Sequence, residues 1–312
     1  MKNVFTGLPV EFHIPNFIDT VFVSDFYSNE VQGGAELTTD ALISYAPSVN
    51  SIFKLHSGSL TEELLLKNRN KTFVLTNFVS APLEGLMALY NNNINYYVIE
   101  YDYKYCRFRS EGLHLMQTKK ACDCYKNEQI KNMILALYSN SKAIFWMSEG
   151  QKKQFLTRLP ELSDVRSYVL SSVFDEFTIQ KINELYDLTK SQEKINKVAI
   201  LSKDNASWIK GIESTEAFLK LENKEYINIP KKPYFEFLEE LSKYKTFCFR
   251  PSDKDTCPRI TIEAKLLGLD LILNKNVQHK DEFWFNQERD YIMDYLRKNP
   301  SMFWNVIYNK SE

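Results

Sequence analysis

Short apolar runs alternate with amphipathic stretches along almost the whole chain. The apolar runs are short and rich in Val, Ile, Phe and Tyr, which is typical of buried strands, whereas the intervening stretches repeat apolar residues at helical spacing. Strands that alternate with helices indicate parallel, doubly wound sheets. The predicted strands are residues 20–23, 51–55, 72–75, 96–99, 143–146, 167–170, 197–201, 226–229, 246–249 and 269–273.

Helical patterns lie between most of these strands. The C-terminal stretch 281–307 also has a helical pattern, which we expect to break at Pro300 and to pack back on the N-terminal domain. Residues 101–126 show weak periodicity and form a long connection, and long loops in compact domains are often functional. The other predicted helices are residues 35–45, 60–67, 83–90, 127–138, 149–157, 214–221 and 234–244.

This number of strands exceeds what one open sheet usually holds, so two domains are expected. A break is predicted near residues 171–176, before a polar helical stretch and the Lys-rich residues 190–197. We therefore predict two Rossmann-like domains over residues 1–172 and 173–290. A C-terminal helix over residues 291–312 is expected to pack toward the first domain.

The composition supports a globular, intracellular protein. Hydrophobic residues make up 44% of the 312 residues and aromatic residues 14%, which is ample for a packed core. The net charge of −1 gives no global basic field that would draw the chain onto nucleic acid. Residues 1–7 lack the features of a signal peptide, and no apolar run approaches the length of a membrane span. Together with five cysteines, an odd number, these features predict a cytoplasmic protein with free thiols.

The most informative segment is residues 255–268, which lies between the last two predicted strands. Pro258 suits the first position of a short helix, and Gly268 suits the residue just past its end. A helix that begins at the carboxyl end of a strand presents unpaired N–H groups, which form an anion site suited to a diphosphate. One turn further, Glu263 is placed to accept hydrogen bonds from a ribose, so a nucleotide ligand is predicted.

Several motifs occur in the order found in one enzyme family. Asp255 and Glu263 have the spacing of the paired acids of an E-x7-E motif, and residues 263–268 are similar to the helix "EAMACG" that carries its second acid. Residues 33–36 read Gly-Gly-Ala-Glu, like the motif "GGAE" after the first strand. Residues 202–203 and 210–211 match the pair "GR…KG", and residues 169–175 match the interdomain "IPNGVD".

On these motifs the chain resembles retaining GT-B glycosyltransferases of the group 1 (family-4-like) type. Residues 100–105, Glu-Tyr-Asp-Tyr-Lys-Tyr, further resemble the "EHDhKY" of divergent bacteriophage and viral members. There are departures from the family pattern. Asp255 replaces the usual first Glu, the residues after it replace Gly-Phe-Gly, and Lys203 stands where Arg is usual, giving a point charge instead of a bidentate fork.

The resemblance implies an α/β fold of the GT-B type, with two doubly wound parallel-sheet domains facing a cleft and a C-terminal helix crossing back. The first domain would bind the acceptor and the second the nucleotide sugar. The implied reaction is the transfer of a hexose, glucose in the first instance, from a UDP- or GDP-hexose to a hydroxyl group, with retention and without a metal or other cofactor. The acceptor is a glycan, a lipid or a hydroxymethylated base in phage DNA, and a viral origin would place the enzyme in the host cytoplasm.

The donor-side residues follow from the motifs. Lys203 and Lys210 would neutralise the leaving diphosphate, although solvated lysines are the ordinary alternative. Asp255 would contact sugar hydroxyls, with the N–H groups of Thr256 and Cys257 facing sugar or phosphate, unless Asp255 is a turn or capping acid.

Three further residues are candidates for the donor side. Gly33 and Gly34 would allow close backbone approach to the ligand at a helix start. Arg250 directly follows a predicted strand, and it would either reach the phosphates or pair with an acid nearby.

Glu100 and Asp102 end the predicted strand 96–99 and alternate in facing, so one of them is expected to point into the cleft. That residue would orient or deprotonate the acceptor hydroxyl. It would then be a catalytic group, as Lys210 would be on the donor side. The alternative is a salt bridge with Lys104, Arg107 or Arg109.

Three cysteines and a histidine lie in the long connection 101–126. Cys106, His114, Cys122 and Cys124 are zinc-binding residue types, but the C-x-C pair is tighter than the spacing of a standard ribbon or finger. Free thiols in a substrate loop are therefore favoured over zinc. Alternating aromatic and basic residues in the same connection would suit a sugar or a nucleic-acid strand, or form an ordinary solvated face.

Two other function classes fit the same fold. A nucleotide-sugar epimerase or hydrolase would turn over the donor without an acceptor. A non-catalytic module that binds glycans or nucleic acid would tolerate the loss of Lys210. The sequence leaves the sugar, the acceptor and the oligomeric state open.

Overall fold

The computed structural model describes residues 13–205 and 208–308, which form two parallel β-sheets with helices between the strands. The first sheet has the order β2-β1-β3-β4-β5-β6, and every neighbouring pair is parallel. Its strands are β1 (Thr20–Ser24), β2 (Ile52–His56), β3 (Thr72–Leu75), β4 (Asn95–Glu100), β5 (Ile144–Trp146) and β6 (Ser167–Val169).

The strands of this sheet bury side chains of both orientations, which indicates that helices cover both of its faces. These helices are α1 (Gly34–Ser44), α2 (Glu62–Lys67), α3 (Leu83–Asn91), α4 (Glu111–Thr118), α5 (Glu128–Ser139) and α6 (Glu149–Arg158). The predicted boundary at residue 172 lies between β6 and the next helix, α7 (Glu176–Thr189).

The second sheet has the order β10-β9-β7-β8 and is also parallel throughout. Its strands are β7 (Ile195–Leu201), β8 (Tyr226–Ile229), β9 (Tyr244–Phe249) and β10 (Asp270–Leu273). The remaining helices are α8 (Ile212–Leu221), α9 (Tyr234–Ser242), α10 (Arg259–Leu266) and α11 (Arg289–Ile307). The predicted doubly wound α/β architecture with two parallel sheets is thereby confirmed.

Two local predictions about helices were wrong. The connection 101–126 contains α4, which the weak periodicity did not indicate. The predicted helix 234–244 runs too far, because Tyr244 is buried as the first residue of β9 and pairs with Ile195 of β7. Around α10, Gly268 has the left-handed φ of +75° expected just past a helix end, while Pro258 is the N-cap.

The predicted break at Pro300 is also wrong, since α11 runs through this proline. Continuous helix buries Phe303 and Trp304 against the first sheet, and this packing outweighs the one backbone hydrogen bond that proline removes. The indole Nε1 of Trp304 donates to the carbonyl of Leu42 at 2.8 Å, and the Tyr97 hydroxyl donates to the carbonyl of Val306 at 3.2 Å. The C-terminal helix therefore crosses back onto the first domain, as predicted.

None of the helices in the described part of the chain combines the length and apolar character needed to cross a bilayer. Residues 1–7, on which the signal-peptide prediction depends, lie outside the described residues.

Candidate active site

The two sheets meet at the carboxyl ends of their strands, where ligands bind in open α/β folds. The loop 250–258, between β9 and α10, contacts the first domain directly. The Thr256 hydroxyl donates to the carbonyl of Tyr101 at 2.8 Å, and the Ser172 hydroxyl donates to the carbonyl of Cys257 at 2.8 Å. Thr256 and Cys257 therefore join the loop before α10 to the segments that follow β4 and β6, and burial raises the pKa of the Cys257 thiol to about 12.

Lys210 and Asp255 form an ion pair in this region, with Nζ and Oδ2 3.0 Å apart. The backbone of Asp255 is fixed because its N–H donates to the carbonyl of Asn276 and its carbonyl accepts from Gln278 N–H. Gly211, directly after Lys210, has a φ of +64°, and a Cβ there would lie 2.2 Å from the carbonyl oxygen of Arg250. The position of Lys210 thus depends on a glycine at the start of α8.

Lys203 and Arg250, the other predicted phosphate ligands, are held in different contacts. The Lys203 side chain is 61% exposed, and its ammonium lies 3.6 Å from the Glu213 carboxylate. The guanidinium of Arg250 stacks on Phe218 of α8, 3.7 Å from the ring centroid. Neither contact involves the ion pair of Lys210, so these residues have separate partners and their binding of phosphate stays a prediction.

Gly33 and Gly34 lie at the N-terminus of α1, which faces the start of α10. Gly33 is the N-cap, and a Cβ there would lie 2.2 Å from the Glu36 carboxylate, which folds back over the helix start. A Cβ at Gly34 would lie 3.7 Å from Cδ of Arg259 on α10. The Arg259 side chain therefore connects the start of α10 to the start of α1, and the N-terminus of each helix favours an anion. Burial raises the pKa of Glu36, which is also a first-turn acid of α1.

Glu263 is buried one turn into α10. The Tyr234 hydroxyl donates to its carboxylate at 2.6 Å, and Nε of Arg259 lies 3.5 Å away. Burial raises the pKa of Glu263. A ribose hydroxyl would have to share this carboxylate with Tyr234, so the predicted ribose contact stays a prediction.

Arg259 is the residue of this site that the sequence reasoning missed. Its guanidinium donates to the carbonyl of Val173 and lies 4.0 Å from the ring centroid of Phe174, so a buried cation links α10 to the interdomain segment. A cation in the first turn of a helix is electrostatically unfavourable. An arginine directly after Pro258, at the start of the predicted helix, was therefore the feature of the sequence that could have singled out Arg259.

Glu100 is buried at the end of β4 and is fully engaged. Its carboxylate accepts from the N–H of Asp102 at 2.8 Å, from Lys104 Nζ at 3.1 Å and from the Tyr138 hydroxyl. Burial raises the pKa of Glu100 to about 7. Asp102 is partly exposed, and its carboxylate lies 3.5 Å from Lys104 and 3.4 Å from Arg109. The salt-bridge alternative for these acids is present, and only Asp102 of the two reaches solvent.

The structure brings together the three cysteines and the histidine of the long connection. The potential ligand atoms of these buried side chains all lie within 4.8 Å of one another. The four residues are Cys106, His114, Cys122 and Cys124.

Comparison with protein-family models finds no match for this chain, and comparison with curated proteins finds none either. Solved structures do match. The match with OtsA, a trehalose-6-phosphate synthase, spans 93% of this chain and 95% of the OtsA chain at 11% identity, with a TM-score of 0.56. A second match is an α,α-trehalose-phosphate synthase (UDP-forming) from Burkholderia xenovorans, in complex with glucose-6-phosphate. It spans 93% of this chain and 99% of the synthase chain at 8% identity, with a TM-score of 0.55.

A third match is Alr3699/HepE from Anabaena, in complex with UDP-glucose. It spans 93% of this chain and 94% of the HepE chain at 11% identity, with a TM-score of 0.51. Identities this low establish a shared fold. With two parallel sheets and α11 crossing back, the chain has the GT-B fold.

Proposed function

We propose that the protein is a glycosyltransferase that moves a hexose from a UDP-hexose to a hydroxyl acceptor. The observation that carries this proposal is the convergence of the α1 and α10 N-termini at the cleft of a GT-B fold, close to the buried cation of Arg259. Two helix dipoles and a cation suit a diphosphate, which carries the negative charge of the donor between its nucleoside and its sugar.

UDP-glucose is the proposed donor. The UDP-forming synthase and the UDP-glucose complex of HepE share this fold, which makes UDP the first nucleotide to test. Glu263 is the proposed ribose ligand. It would accept a hydroxyl hydrogen bond at the carboxylate that now accepts from Tyr234.

Lys210 is proposed to change partners during the reaction. In the present structure Asp255 holds its ammonium at 3.0 Å. When the diphosphate departs, negative charge develops on its oxygens, and Lys210 would move onto that charge while Asp255 accepts hydrogen bonds from the sugar. Interactions that strengthen as charge develops lower the barrier, and each one contributes about 10²–10³ in kcat.

The carboxylates on the acceptor side favour retention of configuration. Inversion requires a general base opposite the leaving group, and Glu100 and Asp102 are both held by cations. Glu100 is also buried, and its carboxylate already accepts from three donors, so neither acid stands as a free general base beside an acceptor hydroxyl. Asp102 would instead orient the acceptor hydroxyl from the partly exposed end of β4.

The acceptor is proposed to carry phosphate. Within residues 107–126 the exposed charged side chains are basic except for Asp123, so the connection presents a positive face. This charge favours DNA or a lipid phosphate over a neutral glycan. The exposed basic residues are Arg107, Arg109, Lys119, Lys120 and Lys126.

The test is an incubation with UDP-glucose and two acceptors, duplex DNA containing a hydroxymethylated base and a lipid-phosphate glycan. UDP release and the mass of each acceptor are measured, and NMR of the product gives the anomeric configuration. A glucosylated acceptor with retained configuration supports the proposal. An isomerised donor sugar, or free glucose without glucosylated acceptor, would point to the epimerase or hydrolase. Donor binding without any product would point to a binding module.

A further inference from the structure

We propose that Cys106, His114, Cys122 and Cys124 form a structural zinc site that fixes the connection between β4 and α5. The proposal is independent of the proposed transferase activity. It rests on the spatial arrangement of these four side chains, which the C-x-C spacing in the sequence did not favour.

The distances match tetrahedral coordination by three sulfurs and one nitrogen. With Zn–S near 2.3 Å and Zn–N near 2.0–2.1 Å, ligand atoms are separated by about 3.8 Å for two sulfurs and about 3.6 Å for sulfur and nitrogen. Nδ1 of His114 lies 3.7 Å from Sγ of Cys106 and 3.4 Å from Sγ of Cys124. All four ligand atoms lie within 4.8 Å of one another, so small side-chain adjustments suffice for coordination.

The imidazole of His114 is positioned by a neighbouring ring. Phe108 packs edge-on against it, with ring centroids 5.4 Å apart, which helps to fix the ring orientation beside the sulfurs.

Helix α4 gives a second, independent reason. Its only buried residue is His114, while Leu115 and Met116 are exposed. A helix this short is unstable without tertiary contacts, and one buried imidazole is a poor hydrophobic anchor. A bond from His114 to a metal shared with three cysteines would hold α4 in place.

Zinc fits these ligands better than other divalent metals do. Three thiolates and one imidazole are soft ligands that select zinc, and four protein ligands leave no open position for substrate. The site is therefore structural. A disulfide is the main alternative, but it would use only two of the sulfurs and leave His114 beside an unused thiol. A neutral Cys106 thiol could also donate to the carbonyl of Ser110, 3.4 Å away.

The zinc would act on the cleft through the start of α4. The Ser110 hydroxyl and the Gly112 N–H both donate to the Asp253 carboxylate of the second domain, the latter at 2.8 Å. Glu111 lies 3.6 Å from Lys254. These contacts meet the loop that carries Asp255, so a fixed α4 defines one wall of the proposed active site.

The first test is the metal content of the purified wild-type protein, measured by mass spectrometry of the elements. About one zinc ion per chain is expected. Replacing the zinc by Co²⁺ should give the visible absorption of a tetrahedral cobalt–thiolate centre. The variants Cys122→Ser and His114→Ala should lose the metal, whereas Cys248→Ser, which removes a buried cysteine of β9, should keep it.

The wild-type measurement does not depend on whether a variant folds. A strong chelator should lower the melting temperature of the wild type, and zinc should restore it. Metal-free wild type that binds no added zinc, or a disulfide among these cysteines detected by mass, would overturn the proposal. Because no readout uses catalysis, failure of the zinc site and failure of the transferase reaction are distinguishable.

Discussion

Lys210 and Asp255 are joined by an ion pair 3.0 Å long that links the loop before α8 to the loop before α10. The ammonium also lies 5.6 Å from the ring centroid of Phe249, at the end of β9. Both partners are partly shielded from solvent, so the pair holds the lysine at the cleft. In the proposed reaction the same lysine serves the diphosphate.

Replacing Lys210 by Met should lower kcat by about 10²–10³, because the variant loses a cation that acts on the developing charge. The methionine keeps most of the side-chain volume, so folding should be preserved. Steady-state kinetics with UDP-glucose measures the effect. The matched control is Lys190→Met, which removes a lysine from an exposed pair with Asp187 and should leave kcat unchanged.

Gly211→Ala should impair both stability and donor binding. A Cβ at this position would lie 2.2 Å from the carbonyl oxygen of Arg250, and the left-handed φ adds strain of about 1–2 kcal/mol. The loop that carries Lys210 must therefore shift. Thermal melting and donor titration measure the two effects. Gly58→Ala is the control, since its nearest neighbour is at an ordinary distance of 3.7 Å; equal effects of the two substitutions would contradict the argument.

Glu100 makes stability depend on pH in one direction. Burial raises its pKa to about 7 from the ordinary value of 4.5, so between these pH values the folded protein binds a proton that the unfolded chain has released. The contribution of Glu100 to stability is therefore complete below pH 4.5 and declines as pH rises toward 7. Glu100→Gln does not titrate, and its free energy of unfolding should rise relative to wild type over this window, by up to about 1.4 kcal/mol per pH unit.

Urea unfolding of both proteins across this pH range measures the difference for Glu100. The control is Glu63→Gln, because Lys67 lowers the pKa of Glu63 and this exposed acid stays ionised in the folded protein throughout the window. A constant difference between Glu100→Gln and wild type would refute the assignment.

His279 should have the opposite effect. It is buried between Thr261 and the rings of Trp284 and Phe285, and burial lowers its pKa from 6.5 to about 3. The unfolded chain binds a proton here that the folded protein does not, so the stability contributed by neutral His279 is present above pH 6.5 and is lost as pH falls toward 3.

His279→Phe should therefore lose less stability on acidification than wild type does, as followed by unfolding at successive pH values. Phe285→Leu disturbs the same cluster without removing the histidine. Its destabilisation relative to wild type should stay nearly constant with pH. If His279→Phe and Phe285→Leu lost the same stability on acidification, His279 would be ruled out as the source of the pH dependence.

The strands and the α/β architecture were predictable from the sequence, because buried parallel strands leave continuous apolar runs. The position of Gly268 was predictable for a different reason, because the residue just past a helix end often adopts a left-handed backbone, which favours glycine. Helix α4 was not, because a helix whose only buried residue is His114 has no apolar stripe. Helix α11 continues through Pro300 because of packing on the first domain, which local sequence does not encode.

The candidate site was predictable in part. Lys210 was predicted to serve the diphosphate and Asp255 the sugar, and the structure pairs the two with each other. Arg250 was expected to reach the phosphates or to pair with an acid nearby, and its guanidinium stacks on Phe218, which is distant in sequence. Glu100 is engaged by Tyr138 of α5, another contact that only the fold creates. The cysteine cluster has irregular spacing, and three separate pieces of chain bring it together.

The most direct test of the central claim is calorimetric titration of UDP-glucose into wild type and Lys210→Met, in buffer free of added divalent metal. Chelator is omitted, so that the proposed zinc site is left intact. Saturable binding by wild type, unchanged by added Mg²⁺, is the predicted result, with similar affinity in the variant because Lys210 acts on charge that develops only during the reaction. Absence of binding by well-folded wild type to UDP-glucose and to UDP alone would contradict the proposed function.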